Sequence, residues 1–204
     1  MESYNNFIER LASPSPAPGG GAASAFVSIV ASALISMVSQ ITMGKKGYEQ
    51  YEDEMKEIIS ENSKIKEELE KLIEEDEEAF NSIMAAIKMP KITEEEKKER
   101  EKKLQSALRH GIEVPWRIAA RSFDLLKLSE KLVEHGNKNA VTDAGSAASI
   151  LHSAIEAALY NVKINLKSVK DQEYVSDQKM KIKLFLENSD EVYERIKKKL
   201  EAML

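Results

Sequence analysis

The residues of this chain that could do chemistry begin with Asp76. It stands inside an acidic run, Glu74-Glu75-Asp76-Glu77-Glu78, yet it keeps step with a three-four alternation of core-type positions: Met55, Ile58, Asn62, Ile65, Leu69, Leu72, Asp76, Ala79, Ile83 and Ala86. That spacing returns to one side of a helix, so Asp76 points where Leu72 and Ala79 point while the flanking glutamates point to water. A carboxylate in such a place must be paired, hydrated in a cleft or protonated, because burial alone raises its pKa. Those conditions make a general acid or base. They also fit a carboxylate that merely bonds a neighbouring helix end or a basic side chain, and spacing leaves both readings open. Asn62, two heptads earlier, reads as a polar contact that sets register.

Gly19-Gly20-Gly21 opens an apolar segment, and glycines at a helix start let something approach the free N–H groups: a carboxylate, a phosphate, a ring carbonyl or another helix. The triplet is neither a dinucleotide fingerprint nor a P-loop. Further on, Asp143, Asn161 and Asn165 share a helix face with Ala147, Ala154 and Ala158 between them. Asp143 and Asn161 are five turns apart, about 27 Å, so one chain cannot offer both to one small ligand. A helix–helix interface with a site at either end has this look, although cap and turn duties would equally employ Asn137 and Asp143. His110, His135 and His152 have no ligand spacing, and no nucleophile motif is present. His152 with Glu156 reads as an ordinary helix pair.

Long helices must carry these residues. Gly and Pro are scarce, with three of the five prolines at 14, 16 and 18. The expected elements are a short helix over 3–11, an extended proline strap, a helix from the glycines to Met43, and a very long one over 48–89 stopped by Pro90. A helix capped by Thr93 and Glu96 follows and runs to about His135, with a kink or restart at Pro115. Two more cover 137–170 and 176–204, separated by a turn at 171–173. The chain is expected to be all-α: a single domain over 1–204, one bundle of about five to seven long helices.

Composition excludes several roles. Lys plus Arg number 30 against 35 Asp plus Glu, a net charge of −5, which argues against a nucleic-acid binder. No cysteine means no disulfide, thiol nucleophile or iron–sulfur site, and the cytoplasm is the expected compartment. Residues 11–44 carry no charge at all. The stretch is long enough to span a bilayer, but Ser24, Ser28, Ser32, Ser36 and Ser39 suit close helix packing better than lipid, so no membrane partner is expected. Glu9 and the prolines argue against a cleaved leader.

Six short stretches in order, Pro18-Gly-Gly-Gly-Ala-Ala, Ser36-Met-Val38, Met43-Gly-Lys-Lys-Gly-Tyr48, Asp76-Glu-Glu-Ala-Phe80, Gly136-Asn137 with Asp143, and Asn161-Val-Lys-Ile-Asn-Leu166, resemble the cyclodeaminase/cyclohydrolase family of folate enzymes. Ala86-Ile-Lys-Met-Pro-Lys91 and the following Thr93-Glu-Glu-Glu-Lys turn the likeness toward formiminotetrahydrofolate cyclodeaminases, including that domain of the bifunctional formiminotransferase-cyclodeaminases. The resemblance implies a helical homodimer that converts 5-formiminotetrahydrofolate into 5,10-methenyltetrahydrofolate and ammonia, folate being substrate and no cofactor or metal being used. The family's catalytic aspartate falls on Asp76, and Asp143 becomes a second candidate for proton transfer or for orienting the pterin. Gly19, Gly20, Gly21, Asn137, Asn161 and Asn165 become folate contacts drawn from two chains, and Lys45 a cation for a glutamate tail, single or polyglutamylated. The alternatives are methenyltetrahydrofolate cyclohydrolase activity and, in a different class, a non-catalytic helical dimer that binds folates or a protein.

Overall fold

The computed structural model describes residues 3–204. Six α-helices follow one another with no strand among the described residues: α1 (Tyr4–Ala12), α2 (Gly20–Thr42), α3 (Glu52–Lys88), α4 (Glu94–His135), α5 (Val141–Leu166) and α6 (Gln172–Glu201). Short 3-10 turns at Glu49–Tyr51 and Lys138–Ala140 lead into α3 and α5. The middle four pack in a closed ring, α2 on α3, α3 on α4, α4 on α5 and α5 back on α2, while α6 lies outside against α4 and α5. Short connections make successive helices antiparallel. α1 buries only Phe7, which stacks on Phe26 of α2. The strap between α1 and α2 contains a cis Ala17–Pro18 peptide.

Small side chains explain how the ring closes. On α2 the serines at 24, 28, 32 and 39 are buried with Ala22, Ala25 and Ala31, and on α5 Ala144, Ala147, Ala148, Ala154 and Ala158 are buried. The hydroxyls of Ser24, Ser28 and Ser39 are returned to the helix's own carbonyls, Ser28 Oγ to Ser24 O at 2.8 Å and Ser39 Oγ to Ile35 O at 2.8 Å, while Ser32 Oγ is buried without a partner. Ser28 Oγ also meets Ser122 Oγ of α4 at 2.7 Å. Asn62 is buried and donates to the Ser32 carbonyl at 3.0 Å, pinning α3 against α2. α2 is long and apolar enough to cross a membrane, and 56% of its apolar window is buried inside the protein. Its outer face is another matter: Val27, Val30, Met37 and Ile41 remain exposed along one side, with half-buried Leu34 between them and no charge on the stripe.

The structure corrects some boundaries. Asp171 is not turn filler but the N-cap of α6, accepting from the Tyr174 N–H, so α6 starts at Gln172 rather than 176. α5 ends at Leu166, short of Lys170. α4 runs unbroken through Pro115 for 42 residues instead of restarting there. His152 pairs with Asp190 of α6 at 2.7 Å, not with Glu156 one turn on.

Candidate active site

α3 delivers Asp76 to the start of α2. Oδ2 accepts the Ala22 N–H at 2.9 Å. Ala22 is the third residue of a helix whose N-cap, Gly19, has no side chain to spend on the free N–H groups. Asp76 supplies that cap from another helix, and the positive end of α2 suits a carboxylate. Gly21 makes the approach possible, because a Cβ built there would sit 2.2 Å from Asp76 Oδ1 and 2.6 Å from Cγ. The flanking glutamates are accounted for separately, Glu77 paired with Arg10 and Glu75 with Arg117.

Oδ1 of Asp76 takes no hydrogen bond from the described residues. The carboxylate borders a cavity of about 310 Å³ whose other walls include Gly19, Gly20, Phe80, Ile164, Asn161 and Asn165. Burial lifts the Asp76 carboxyl above its ordinary value; the Ala22 N–H pulls it back in part, and the charge of Glu77 pushes it up again. One oxygen is fixed and the other is available in a group more basic than an ordinary aspartate.

The two asparagines border the same space. Asn161 Nδ2 donates to the Ala157 carbonyl of its own helix at 2.9 Å, and Asn165 Nδ2 donates across to the Gly111 carbonyl of α4 at 2.6 Å. Each amide nitrogen spends one of its two N–H groups this way, so each side chain keeps an oxygen and one N–H for a ligand. The Gly111 carbonyl is free because residue 115, four positions on, is proline and has no N–H to return. Gly111 also keeps the contact short, since a Cβ there would lie 2.7 Å from Ile83 Cδ1. The sequence reading missed Gly111 and took Pro115 only as a kink or restart; a glycine followed four residues later by proline inside a helix is the signal that marks an unclaimed carbonyl.

Gly19, Gly20, Asp76, Asn161 and Asn165 thus surround one cavity, with Gly21 behind the aspartate. Lys45, Asn137 and Asp143 are elsewhere, at the far end of α2, whose 23 residues span roughly 33 Å. There Lys45 Nζ donates to Asn137 Oδ1 at 2.6 Å. Asn137 is buried and busy, its backbone N–H bonded to Thr42 Oγ1 at 2.9 Å and its side chain capping the turn before α5 by accepting from Asn139 N. Asp143 is half-buried in the first turn of α5. No group of three or more His, Asp or Glu residues among those described could hold a metal ion.

The family profile described as formiminotransferase-cyclodeaminase matches residues 3–184. The chain belongs to this family. It is 32% identical to the methenyltetrahydrofolate cyclohydrolase of Methylorubrum extorquens over 98% of both chains. It is also 32% identical to the formimidoyltransferase-cyclodeaminase of Gallus gallus, over 90% of this chain but only 34% of that longer protein. The crystal structure of formiminotetrahydrofolate cyclodeaminase from Thermotoga maritima superposes with a TM-score of 0.84 at 33% identity, covering 100% of this chain and 96% of that one. The helical bundle is therefore the fold of a cyclodeaminase, and relatives of this formiminotransferase-cyclodeaminase family member are folate enzymes.

Proposed function

We propose that the protein catalyses the cyclodeamination of 5-formiminotetrahydrofolate to 5,10-methenyltetrahydrofolate, with release of ammonia. One observation carries the reading: a carboxylate of raised pKa, held by one oxygen and open by the other, beside two asparagine side chains in a cavity at a helix N-terminus. The folate N10 attacks the formimino carbon, a carbon–nitrogen bond forms, and N10 must lose its proton. The formimino nitrogen departs as ammonia only after gaining one. Asp76 accepts the first proton on Oδ1 and returns it to the departing nitrogen, and its raised pKa suits both transfers. The asparagine oxygens receive N–H groups of the pterin.

Lys45, Asn137 and Asp143 join the same site from a second chain in this reading. The uncharged outer face of α2, with Val27, Val30, Met37 and Ile41 exposed, is covered by its own copy about a two-fold axis crossing the helix near its middle. Such an axis brings the Lys45 end of one protomer to the Asp76 end of the other. Lys45 then meets the glutamate portion, single or polyglutamylated, and Asp143 orients the pterin. The reading needs no metal or cofactor and fits a soluble, cytoplasmic lyase.

The second reading is methenyltetrahydrofolate cyclohydrolase, favoured by the full-length match to the Methylorubrum extorquens enzyme. Water then attacks the same carbon with Asp76 as base. Ammonia release from 5-formiminotetrahydrofolate, measured beside loss of the methenyl chromophore, separates them: ammonia at a rate well above background supports the first, hydrolysis alone the second, and neither overturns both in favour of a non-catalytic binder.

A further inference from the structure

On the side of α4 turned away from the Asp76 cavity, α4 and α6 enclose an open groove of about 740 Å³. Its walls are aromatic. Trp116 and Phe185 meet edge to face at 5.5 Å between centroids, and Tyr174 lines the same space with the Arg109 guanidinium 4.2 Å above its ring. Gln178 stands between them on α6 and is only 7% exposed. Its Oε1 accepts from Trp116 Nε1 at 2.7 Å, which fixes the orientation of the amide. Its Nε2 has no acceptor among the described residues and is not one of the buried unpartnered atoms, so on a side chain otherwise buried it is the part left open to the groove. An N–H held in a fixed direction at an apolar wall is a ready donor to a ligand acceptor.

The charges at the rim narrow the chemistry. Arg109 is held by Asp171 at 2.8 Å and Arg117 by Glu75, so both are neutralised locally. Lys181 lines the groove with no carboxylate within ion-pair distance among the described residues, while Glu113 faces it from the opposite helix with no cation within that distance. An anion is therefore welcome on the α6 side, beside Lys181 and Gln178, and unwelcome on the α4 side. We propose that this groove binds a small aromatic carboxylate, its ring laid against the Trp116–Phe185 pair and its carboxylate received by Gln178 Nε2 and Lys181. A groove of this size with apolar walls and a few convergent polar groups is what small-molecule sites look like. The assignment does not rest on the folate reading, since none of these residues borders the Asp76 cavity.

Trp116 is the sole tryptophan of the chain, so its fluorescence reports the groove directly. Phenylacetate, phenethyl alcohol and phenethylamine, titrated in turn and excited where only tryptophan absorbs, share a ring and differ in the head group. The expected result is a saturable change with phenylacetate at about millimolar concentration, weaker by about fivefold with the alcohol and absent with the amine. Gln178→Leu should weaken phenylacetate by about tenfold, and Lys181→Met by about threefold. Glu113→Gln should act in the opposite direction and tighten it, a change that mere loosening of the α4–α6 contact would not produce. Asp76→Asn should leave this titration unchanged, so failure here and failure of the folate reading are told apart. Equal responses to all three probes, or no response, overturn the proposal. So does emission that shifts with protein concentration alone and tracks self-association in sedimentation, which would make the groove a contact between copies.

Discussion

Gly21→Ala is the smallest perturbation that tests whether Asp76 works from a fixed position. The new methyl carbon would lie 2.2 Å from Asp76 Oδ1, where about 3.2 Å is the closest ordinary contact, so the carboxylate must retreat by about 1 Å. The methyl group cannot yield, because it sits on the first turn of α2 with Ala22 and Ala25 fully buried beside it. A displacement of that size costs on the order of a hundredfold in turnover when the moved group transfers protons. Stability should change far less. Alanine in place of glycine favours the helix by up to about 1 kcal/mol, and the overlap opposes it by about 1–3 kcal/mol, a net loss of a few degrees in melting temperature. Ammonia release and thermal melting on the same preparation measure both quantities. The decisive arm is the double variant: if Gly21 acts through Asp76, adding Gly21→Ala to Asp76→Asn should cost almost nothing further in activity. Wild-type turnover in Gly21→Ala, or full additivity with Asp76→Asn, would refute the assignment.

Asp76→Asn should abolish most turnover and keep the fold, since the amide oxygen can still accept the Ala22 N–H. Folding raises the pKa of Asp76, so its contribution to stability is complete below its unfolded value and is lost as pH rises through the folded one; melting of the Asn variant relative to wild type should rise as pH climbs from about 4, the unfolded value, through the higher folded one. Val30→Glu, a charge on the exposed face of α2, should yield a folded monomer by sedimentation with activity reduced at least about tenfold. Mixed with Lys45→Ala, the Asp76→Asn protein should recover up to about a quarter of wild-type activity, because half the dimers then hold one intact site of two; no recovery after verified subunit exchange sinks the two-chain site. Asn165→Ala should lower stability by about 1–3 kcal/mol, through the Gly111 carbonyl it leaves unpaired, and should raise KM, read from melting and steady-state kinetics.

The long-range parts of this site were legible because helices turn spacing into direction. Asp76 could be singled out from four neighbouring glutamates by phase alone, and the structure has it facing a cavity while Glu74 and Glu78 are exposed. The glycine triplet was legible as a place of close approach, but not which partner approaches: Gly21 receives Asp76, and a Cβ at Gly20 would lie 3.2 Å from Asn161 Nδ2. That distinction depends on how α3 and α5 cross α2, which no local pattern encodes. The structure ties one oxygen of Asp76 to a helix end and leaves the other open to the cavity. Periodicity could not show this, because it ranks residues and not their atoms. Asn137 shows the opposite limit: its buried cap bonds come from a turn only three residues long, and turn chemistry looks alike in sequence whether or not a ligand is near.

Pro115 has a consequence for anyone who would engineer this bundle. By every general rule it is a defect, a proline in the interior of a 42-residue helix, and replacement by alanine is the first repair a stability campaign would try. The repair would give residue 115 an N–H, and the acceptor waiting four residues back is the carbonyl that Asn165 now holds. The healed helix and the site-bordering amide would compete for one oxygen. A thermostable variant obtained this way would set Asn165 loose beside the aspartate, so that a gain recorded in a melting curve would return as a blurred pocket. The flaw in α4 is the peg on which α5 hangs.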